Sequence, residues 1–380
     1  MKAIINGKIV LPDRIVEGGA LLFDGHIHGA VDARDVPADA ERIDACGGYV
    51  LPGLIDMHIH GYLGHDASDG SYEGVRTMAR GIAQNGVTGF LPTTMTVSRP
   101  ELRAAFAQIR RAMADSAAPG WDGARVLGLN AEGPFISPAR KGAQAGGNIC
   151  PGDAAFLEEY SDILRVFTIA PEVRGNMECV RAMAGRTLVS MGHTDATYTQ
   201  AVAAIEAGVR HVTHLFNAQT PLKHRDPGVV GAALTDGRVS CELIADMFHV
   251  HPALFDMVAR LKRDKLVLIT DCTRAGGLAD GEYTLGGQPI FVRGVECRLA
   301  DGTIAGSVLK LNQAVNNMRR HCSLPLWEIV NMASLNPARR LGLDAKKGSL
   351  EPGKDADIAL CDAEMGVKAT FVSGRAVYTA

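Results

Sequence analysis

Two patterns of apolar and polar positions follow one another along the chain. Between residues 49 and 348, short apolar runs rich in β-branched residues are separated by Ala-rich stretches of helical length. This pattern is typical of parallel strands that are covered by helices. Because eight such units close a barrel, we predict an α/β fold with a (β/α)8 TIM-like barrel over residues 49–348. The eight runs are LPGLIDMHIH (51–60), GVTGFLPTT (86–94), RVLGLNAEG (125–133), RVFTIAPEV (165–173), RTLVSMGHT (186–194), HVTHLFNA (211–218), VSCELIADM (239–247) and KLVLITDC (265–272).

The two chain ends show the second pattern, in which short apolar runs alternate with Gly and Asp. Residues 1–48 contain AIINGKIV, GALLFDG and AVDAR, and residues 349–380 contain DADIALCD, VKATFVSG and RAVYTA. Such runs are typical of short antiparallel strands joined by tight turns. We therefore predict that both ends pair into one small β domain, a β-sandwich beside the barrel. The turn-rich segment 273–310 predicts a β-hairpin inserted after the eighth barrel strand.

The length and composition of the chain fit a barrel with an added module. Its 380 residues exceed the roughly 250 of a typical barrel. Hydrophobic residues make up 47% of the chain, enough to bury a large core. An open, doubly wound sheet is the alternative fold, but no glycine-rich dinucleotide fingerprint follows the first strand, which counts against it.

Charge and cysteine content restrict the partners and the compartment. A net charge of −3 with a pI near 6.5 gives no basic field, so we expect neither nucleic acid nor a membrane as a partner. Eight cysteines are scattered without a C-x-x-C pair, which is typical of reduced thiols in a cytosolic enzyme. The N-terminus turns polar before a signal peptide could form, and no apolar run reaches the ~18 residues of a membrane span. We therefore expect a soluble, cytoplasmic protein.

Potential metal ligands fall at the ends of five predicted barrel strands. The C-terminal strand ends of a barrel face one mouth, so residues far apart in sequence are expected to converge there. His58 and His60 lie two residues apart on one strand, and strand alternation points both side chains into the barrel. Histidine and carboxylate ligands around an open position suit a divalent metal used for hydrolysis. The full set is His58, His60, Glu132, His193, His214 and Asp271.

Each of these residues has a plainer interpretation, because a single buried histidine is usually a hydrogen-bonded core residue. The coincidence of six potential ligands at strand ends favours the metal site. His26 and His28 share the H-x-H spacing but lie in the N-terminal strand region, where we interpret them as solvated turn residues. Glu172, at the end of the fourth strand, competes with Glu132 as the carboxylate ligand, and position alone does not choose between them.

These parts suggest a reaction. A bound divalent ion lowers the pKa of its water from about 16 to near 7 and polarises a carbonyl group. Asp271 could accept the proton of that water and return it to the leaving group. His249 or His251, after the seventh strand, could donate a hydrogen bond to the carbonyl oxygen as charge develops there. The chemistry is amide or ester hydrolysis, and these residues alone do not name the substrate.

Longer motifs resemble the amidohydrolase superfamily and, within it, the family of N-acetylglucosamine-6-phosphate deacetylases. The resemblance runs from about residue 1 to residue 377, whereas H-x-H alone would indicate only the superfamily. It implies hydrolysis of N-acetyl-D-glucosamine 6-phosphate to D-glucosamine 6-phosphate and acetate, in amino-sugar catabolism. The segments that carry it are PGLIDMHIHG, AEGPFISPARKGAQ, GHTDA, THLFNA, HRDPGVVGAAL, ADMFHVHP, ITDCTRAGGLADGEYTLGG and GSLEPGKDADI.

The resemblance also implies roles at the metal site. Asp271 would be the acid/base, and His249 would polarise the carbonyl, which leaves His251 as the weaker candidate. The cofactor would be a divalent cation with one or two ions per subunit; the ligand types suit Zn²⁺, Fe²⁺, Mn²⁺ or Co²⁺, and we expect Zn²⁺ or Fe²⁺. The implied ligands, which favour Glu132 over Glu172, are Glu132, His193 and His214 for the first ion, and His58 and His60 for a possible second.

The sugar phosphate has its own implied contacts. Arg225 of the HRDPG segment would reach across a homodimer interface to the phosphate of the other subunit, and an Arg fork suits a phosphate dianion. Two departures from the family pattern leave the epimer preference open, because Gln219 stands where Met is usual and Gln144 where some members have His. The implied substrate contacts are Ala143, Gln144, Asn217, Ala218, Arg225, His249, Ile304, Ala305 and Gly306.

Three alternatives remain beside this hypothesis. The same deacetylation could act on N-acetylgalactosamine 6-phosphate, because a C4 epimer changes only one hydroxyl contact. Another amidohydrolase activity, on a cyclic amide or an N-acyl amino acid, would be favoured if the contacts from Asn217 and Arg225 were absent. An inactive barrel used as a scaffold should have lost ligands, and none is missing from this sequence.

Overall fold

Parallel strands form the centre of the computed structural model, which describes all residues 1–380. The strands are, in chain order, β1 Lys2–Ile5, β2 Lys8–Val10, β3 Ile15–Val16, β4 Gly19–Phe23, β5 Ile27–Asp32, β6 Glu41–Asp44, β7 Tyr49–Pro52, β8 Leu54–Ile59, β9 Gly61–Tyr62, β10 His65–Asp66, β11 Val87–Thr94, β12 Arg125–Val126, β13 Leu129–Glu132, β14 Leu164–Ile169, β15 Leu188–Met191, β16 His211–Val212, β17 Ser240–Ile244, β18 Leu266–Ile269, β19 Gly281–Leu285, β20 Gln288–Arg293, β21 Glu296–Leu299, β22 Ile358–Cys361, β23 Val367–Val372 and β24 Arg375–Thr379.

Ten α-helices accompany these strands, and most of them follow a barrel strand. Helices α1, α2, α3 and α5 begin with a side-chain cap, as in the second helix, where the Ser98 side chain caps the first turn and Glu101 completes a capping box. No helix has the length and apolar character needed to span a membrane. The helices are α1 Tyr72–Ala83, α2 Arg99–Ser116, α3 Ala154–Glu158, α4 Asn176–Met183, α5 Tyr198–Ala207, α6 Gly228–Thr235, α7 Phe255–Lys262, α8 Leu311–His321, α9 Leu326–Met332 and α10 Leu335–Arg340.

Eight parallel strands close into the predicted barrel. They pair in the order β8, β11, β13, β14, β15, β16, β17 and β18, so that neighbours in sequence are neighbours in space. At the seam between first and last strands, the Asp271 N–H donates to the His58 carbonyl, and the His60 N–H donates to the Cys272 carbonyl, both at 2.9 Å. The (β/α)8 prediction is therefore confirmed.

The two chain ends pack together as predicted. Strands β22, β23 and β24 form one sheet with β7, β2 and β3, and strands β5, β4, β1 and β6 form a second. Both sheets contribute to one apolar core, in which the rings of Phe23 and Phe371 lie 5.6 Å apart. The prediction that all these strands are antiparallel is wrong, because β1–β6 and β2–β7 are parallel pairs. Strand β7 begins directly after residue 48 and lies in the sheet of β22, β23 and β24. The division of the chain into two domains at residue 48 stays a prediction.

The insertion after the eighth barrel strand has one strand more than predicted. Strands β19, β20 and β21 form an antiparallel sheet of three strands instead of a hairpin of two. Its inner face packs in a small hydrophobic cluster with Met95, Ala143 and Ala305. These residues come from the barrel loops, so the insertion is attached beside the mouth of the barrel.

A buried lysine connects the barrel to the terminal sheets. The ammonium group of Lys347 lies 2.8 Å from Asp355 Oδ2 and 2.7 Å from Asp357 Oδ2, and the residue is only 6% exposed. Asp357 also accepts a hydrogen bond from the Ser373 N–H at the turn between β23 and β24. Burial alone would lower the pKa of Lys347, but the two carboxylates more than offset this and raise it.

We predict that Lys347→Met will lower the free energy of unfolding by about 3–5 kcal/mol, because it leaves two carboxylates without their cation. Denaturant unfolding followed by circular dichroism measures the change. The neighbouring Lys346→Met is the matched control, since Lys346 is exposed and should tolerate the same substitution. Equal losses in the two variants would show that Lys347 does not connect these parts of the molecule.

Candidate active site

A cavity of about 370 Å³ opens at the C-terminal mouth of the barrel. Barrel enzymes carry their catalytic residues at this end. Most of the site residues that the sequence predicts line this cavity. They are His60, Glu132, Ala143, Gln144, His193, His214, Asn217, Ala218, His249, Asp271, Ile304 and Gly306.

Three of these residues share an unusual backbone position. His193, His214 and Asp271 each lie two residues beyond the end of strands β15, β16 and β18. Their φ angles are +45°, +29° and +50°, in the left-handed region that side chains rarely adopt. Each such residue costs about 1–3 kcal/mol, and such strain is concentrated at functional sites. The strain therefore marks the strand ends on which the site is built.

One group of side chains, which we call the glutamate cluster, consists of Glu132, His193 and His214. Glu132 Oε1 lies 3.2 Å from His193 Nε2 and 3.0 Å from His214 Nε2. The two imidazole nitrogens lie 3.1 Å from each other. All three residues are buried, and their ligand atoms all lie within 4.8 Å of one another.

A second group, which we call the aspartate cluster, consists of His58, His60 and Asp271. Asp271 Oδ1 lies 3.1 Å from His60 Nε2 and 3.5 Å from His58 Nε2. Glu132 joins the two clusters, because its Oε2 lies 3.1 Å from His60 Nε2 while its Oε1 faces the glutamate cluster. The six predicted ligands thus form two adjacent groups of three.

The hydrogen bonds behind the four imidazoles set their tautomers. Each Nδ1–H donates to an acceptor that carries no proton, so Nε2 is the nitrogen that faces the clusters. The Nε2 atoms of His193 and His214 lie 3.1 Å apart, a distance at which two lone pairs repel each other unless a proton or a metal cation lies between them. The donor set therefore fits a divalent metal. The acceptors are the Thr93 carbonyl for His60, the Arg140 carbonyl for His193, the Asn217 carbonyl for His214 and the Glu242 carboxylate for His58.

The electrostatics agree with a cation site. Burial alone would raise the pKa of Glu132, but His193 and His58 hold it well below its usual value. Burial lowers the pKa of His58, yet Glu242 and Glu132 raise it overall, to about 9. The carboxylates thus favour positive charge among these imidazoles, whether protons or a metal cation supply it. Because ligating imidazoles must be unprotonated, cation binding should release protons and weaken as the pH falls.

Comparison with known proteins connects this geometry to a family. Residues 49–377 match the amidohydrolase family. The chain belongs to the amidohydrolase family. It is 37% identical to the N-acetylglucosamine-6-phosphate deacetylase of Bacillus subtilis (strain 168), over 97% of this chain and 95% of that protein.

Two further relatives bear on the substrate of this amidohydrolase. The N-acetylgalactosamine-6-phosphate deacetylase of Escherichia coli is 38% identical, over 86% of this chain and 87% of that protein. A mutant N-acetyl-D-glucosamine-6-phosphate deacetylase from Mycobacterium smegmatis has been solved in complex with N-acetyl-D-glucosamine-6-phosphate. It matches this chain with a TM-score of 0.91 and 30% identity, covering 100% of this chain and 99% of that one.

Some predicted residues of this amidohydrolase lie outside the cavity lining. Arg225 is exposed in the loop before α6, and the cavity of its own chain does not include it. Ala305 is fully buried, and its N–H donates to the Cys297 carbonyl. Gln219 is buried as well, and its side-chain amide donates to the Thr213 carbonyl at 2.6 Å. Gln144 does line the cavity, where its amide donates to Glu132 Oε2 at 2.5 Å.

The competing residues lie elsewhere. Glu172 accepts hydrogen bonds from Thr194 Oγ1 and the Asp195 N–H, both at 2.6 Å, and belongs to neither cluster. His251 is exposed and caps a short turn after the seventh strand. His26 and His28 are exposed, and His28 lines a separate groove of about 840 Å³ on the terminal sheets that shares no residue with the barrel cavity.

Three polar residues near the clusters were not recognised from the sequence. Asp246 accepts from His249 Nδ1–H at 2.7 Å and also from the His249 N–H at 2.8 Å. Arg140 lines the cavity, and its guanidinium is paired with Asp195 at 2.7 Å. Glu242 accepts a hydrogen bond from His58 Nδ1–H at 3.0 Å. The sequence feature that could have pointed to Glu242 and Asp246 is the pair of carboxylates in ELIAD, residues 242–246 of the seventh strand run.

We predict that His60→Ala will weaken the binding of a divalent cation at least about tenfold, because losing even an outer partner of a ligand usually costs 10–100-fold. Isothermal titration of the chelator-treated protein with Zn²⁺ measures the affinity. His28→Ala, in the H-x-H pair on the terminal sheets, is the matched control and should bind as the parent does. Parental affinity in His60→Ala would remove this residue from the ligands.

Proposed function

We propose that this amidohydrolase removes the acetyl group of N-acetyl-D-glucosamine 6-phosphate, giving D-glucosamine 6-phosphate and acetate in amino-sugar catabolism. One observation carries the proposal: the metal and catalytic residues that the deacetylase motifs imply gather at a single cavity. Nearly full-length similarity to deacetylases of this name supports it.

Asp271 is the proton carrier of the proposed reaction. A divalent cation, which we propose to be Zn²⁺ or Fe²⁺ with one or two ions per chain, supplies a Lewis acid and lowers the pKa of water. Asp271 accepts a proton from the attacking water as its oxygen bonds to the acetyl carbon. When the C–N bond breaks, Asp271 returns the proton to the leaving amine. The hydrogen bond between its N–H and the His58 carbonyl keeps the carboxylate at the strand end.

His249 is the residue that we propose for the acetyl carbonyl. The Asp246 carboxylate binds its Nδ1–H at 2.7 Å and fixes the ring at the cavity wall. We propose that the Nε2–H of the ring donates to the carbonyl oxygen. Such a donor is most effective where negative charge develops during the reaction.

The sugar and the phosphate occupy different parts of the proposed site. Ala143, Asn217, Ala218, Ile304 and Gly306 provide the wall for the sugar, and Ala305 lies buried behind it. For the phosphate we propose Arg225 of a partner subunit in a homodimer. Its exposure, away from the cavity of its own chain, supports this arrangement.

N-acetylgalactosamine 6-phosphate is the second candidate substrate. The similarity to the Escherichia coli enzyme of that name, at 38% identity, favours it. The reaction and the catalytic residues would be the same. We also propose that the enzyme works in the cytoplasm, which eight free cysteines support because an oxidising compartment would favour their pairing.

An acetate-release assay tests the function. The metal-loaded protein is given the 6-phosphates of both N-acetylated epimers and their unphosphorylated forms, and its metal content is measured on the same sample. We expect turnover of the gluco 6-phosphate, and Asp271→Asn should keep the metal while losing most of kcat. Absence of acetate from every phosphorylated sugar would contradict the proposal, and near-normal kcat in Asp271→Asn would remove its proton-carrier role.

Arg225→Ala should raise KM for the phosphorylated sugar and leave the unphosphorylated one nearly unaffected, because the lost contact is to the phosphate. The same assay measures both constants. Lys223→Ala, an exposed cation in the same loop, is the control. Equal effects on the two sugars would show that Arg225 does not bind the phosphate, and an active monomer in light scattering would contradict its action across subunits.

A further inference from the structure

Glu242 is a buried carboxylate that the proposed reaction does not use. It lies on β17 inside the barrel, is 0% exposed, and has no lysine or arginine partner. A buried charge without compensation is costly, so its hydrogen-bond partners must stabilise it. Those partners are the feature of interest, because two of them belong to the cation clusters.

The carboxylate touches both clusters at once. Its Oε2 accepts from His58 Nδ1–H at 3.0 Å, in the aspartate cluster. The same oxygen accepts from the backbone N–H of His214 at 3.0 Å, in the glutamate cluster. Its Oε1 lies 3.1 Å from Nε2 of His211, a buried histidine whose other nitrogen is hydrogen-bonded to Ser240. One side chain therefore contacts a ligand residue in each cluster.

Each contact has a distinct effect on its ligand. The bond to Nδ1 commits that nitrogen of His58 to the side away from the cluster, so that Nε2 is the nitrogen left to bind a cation. The bond to the His214 N–H supports a residue whose φ of +29° is strained, and the Glu242 carbonyl also accepts from the next N–H, that of Leu215, at 2.9 Å. The strand thus fixes the backbone from which the His214 imidazole reaches the glutamate cluster.

We infer that Glu242 is a positioning residue shared by the two cation clusters, so that cation binding at both depends on this one carboxylate. The inference rests on the metal-dependent part of the proposed function and not on the identity of the sugar. His211 completes the arrangement by donating to the second oxygen of Glu242.

Two substitutions separate hydrogen bonding from charge. Glu242→Gln keeps one acceptor oxygen for His58 and His214 and loses the negative charge. Glu242→Met keeps a similar volume and loses every acceptor. We therefore expect cation affinity to fall in the order parent, Glu242→Gln, Glu242→Met, by about tenfold and then about a hundredfold, as for other residues that orient metal ligands.

The test titrates the chelator-treated, full-length protein with Co²⁺ and follows both the heat of binding and the visible absorption of the bound ion. A second titration places Glu242→Gln in the His60→Ala background, in which only the glutamate cluster is intact. Weaker binding there supports the contact through His214. Parental affinity in that background, or a loss confined to the aspartate cluster, overturns the shared role.

A matched control is available in the same barrel. Asp56→Asn changes another buried carboxyl group, which accepts from Thr270 and touches no imidazole, and it keeps Oδ1 as the acceptor for the His58 N–H. We expect it to bind Co²⁺ as the parent does, and an equal loss would show that any change of a buried carboxyl group has this effect. Melting temperatures measured in chelator identify a purely structural role, which would lower stability and leave Co²⁺ affinity and absorption unchanged.

The outcomes of this test are separable from those of the proposed function. A parent that binds Co²⁺ but releases no acetate from any sugar phosphate contradicts the deacetylase proposal and leaves the Glu242 inference standing. A parent that binds no Co²⁺ overturns the inference. If Glu242→Met does not fold, Glu242→Gln decides, since parental affinity in that variant also overturns it.

Discussion

The hydrogen bond from each ligand imidazole to a fixed acceptor is the interaction on which the site depends. Four histidines converge within a few ångströms, and unrestrained rings would turn their N–H groups toward one another or toward the carboxylates. The acceptors behind the rings prevent this, because the carbonyls of Thr93, Arg140 and Asn217 can only accept. The Nε2 atoms are thereby directed inward before any cation arrives, which lowers the cost of organising the site on binding.

The barrel supplies those acceptors at little additional cost. The carbonyls of Arg140 and Asn217 lie in the loops that follow β13 and β16, where no strand pairs with them, and buried carbonyls require a partner. His193 and His214 satisfy both of them, so the same bonds that complete the backbone also orient the ligands. His193 and His214 adopt strained left-handed backbone conformations in this arrangement. The closed barrel sheet from which they extend stabilises these conformations.

The sequence was sufficient for the fold class and for the residues that meet at the mouth. Strand period and the position of polar residues at strand ends placed His60, Glu132 and Asp271 at the same cavity, because barrel geometry alone brings strand ends together. The periodicity of apolar residues did not predict the third strand of the insertion, because the short strands there are separated only by turns. It also could not reveal the parallel pairing of β1 with β6, which depends on contacts distant in sequence.

The supporting residues were harder to predict. Glu242 and Asp246 lie within a strand-like run, and nothing in the run distinguishes a carboxylate that holds an imidazole from one that faces solvent. The contact of Glu242 with His58 forms only when the barrel closes, whereas Asp246 and His249 lie three residues apart on one loop. The role of Arg225 is a different case, because a single chain cannot show a contact made by a second subunit.

The insertion after the eighth strand has an evolutionary consequence. It supplies Leu285 to one wall of the cavity, and Thr303 and Ile304 follow directly after its last strand. It packs through a cluster of 9 buried residues that is separate from the barrel core of 79. Mutations that reshape this wall can therefore accumulate without loosening the barrel that carries the ligands. Selection for a new sugar and selection for a stable catalyst would act on different parts of the chain.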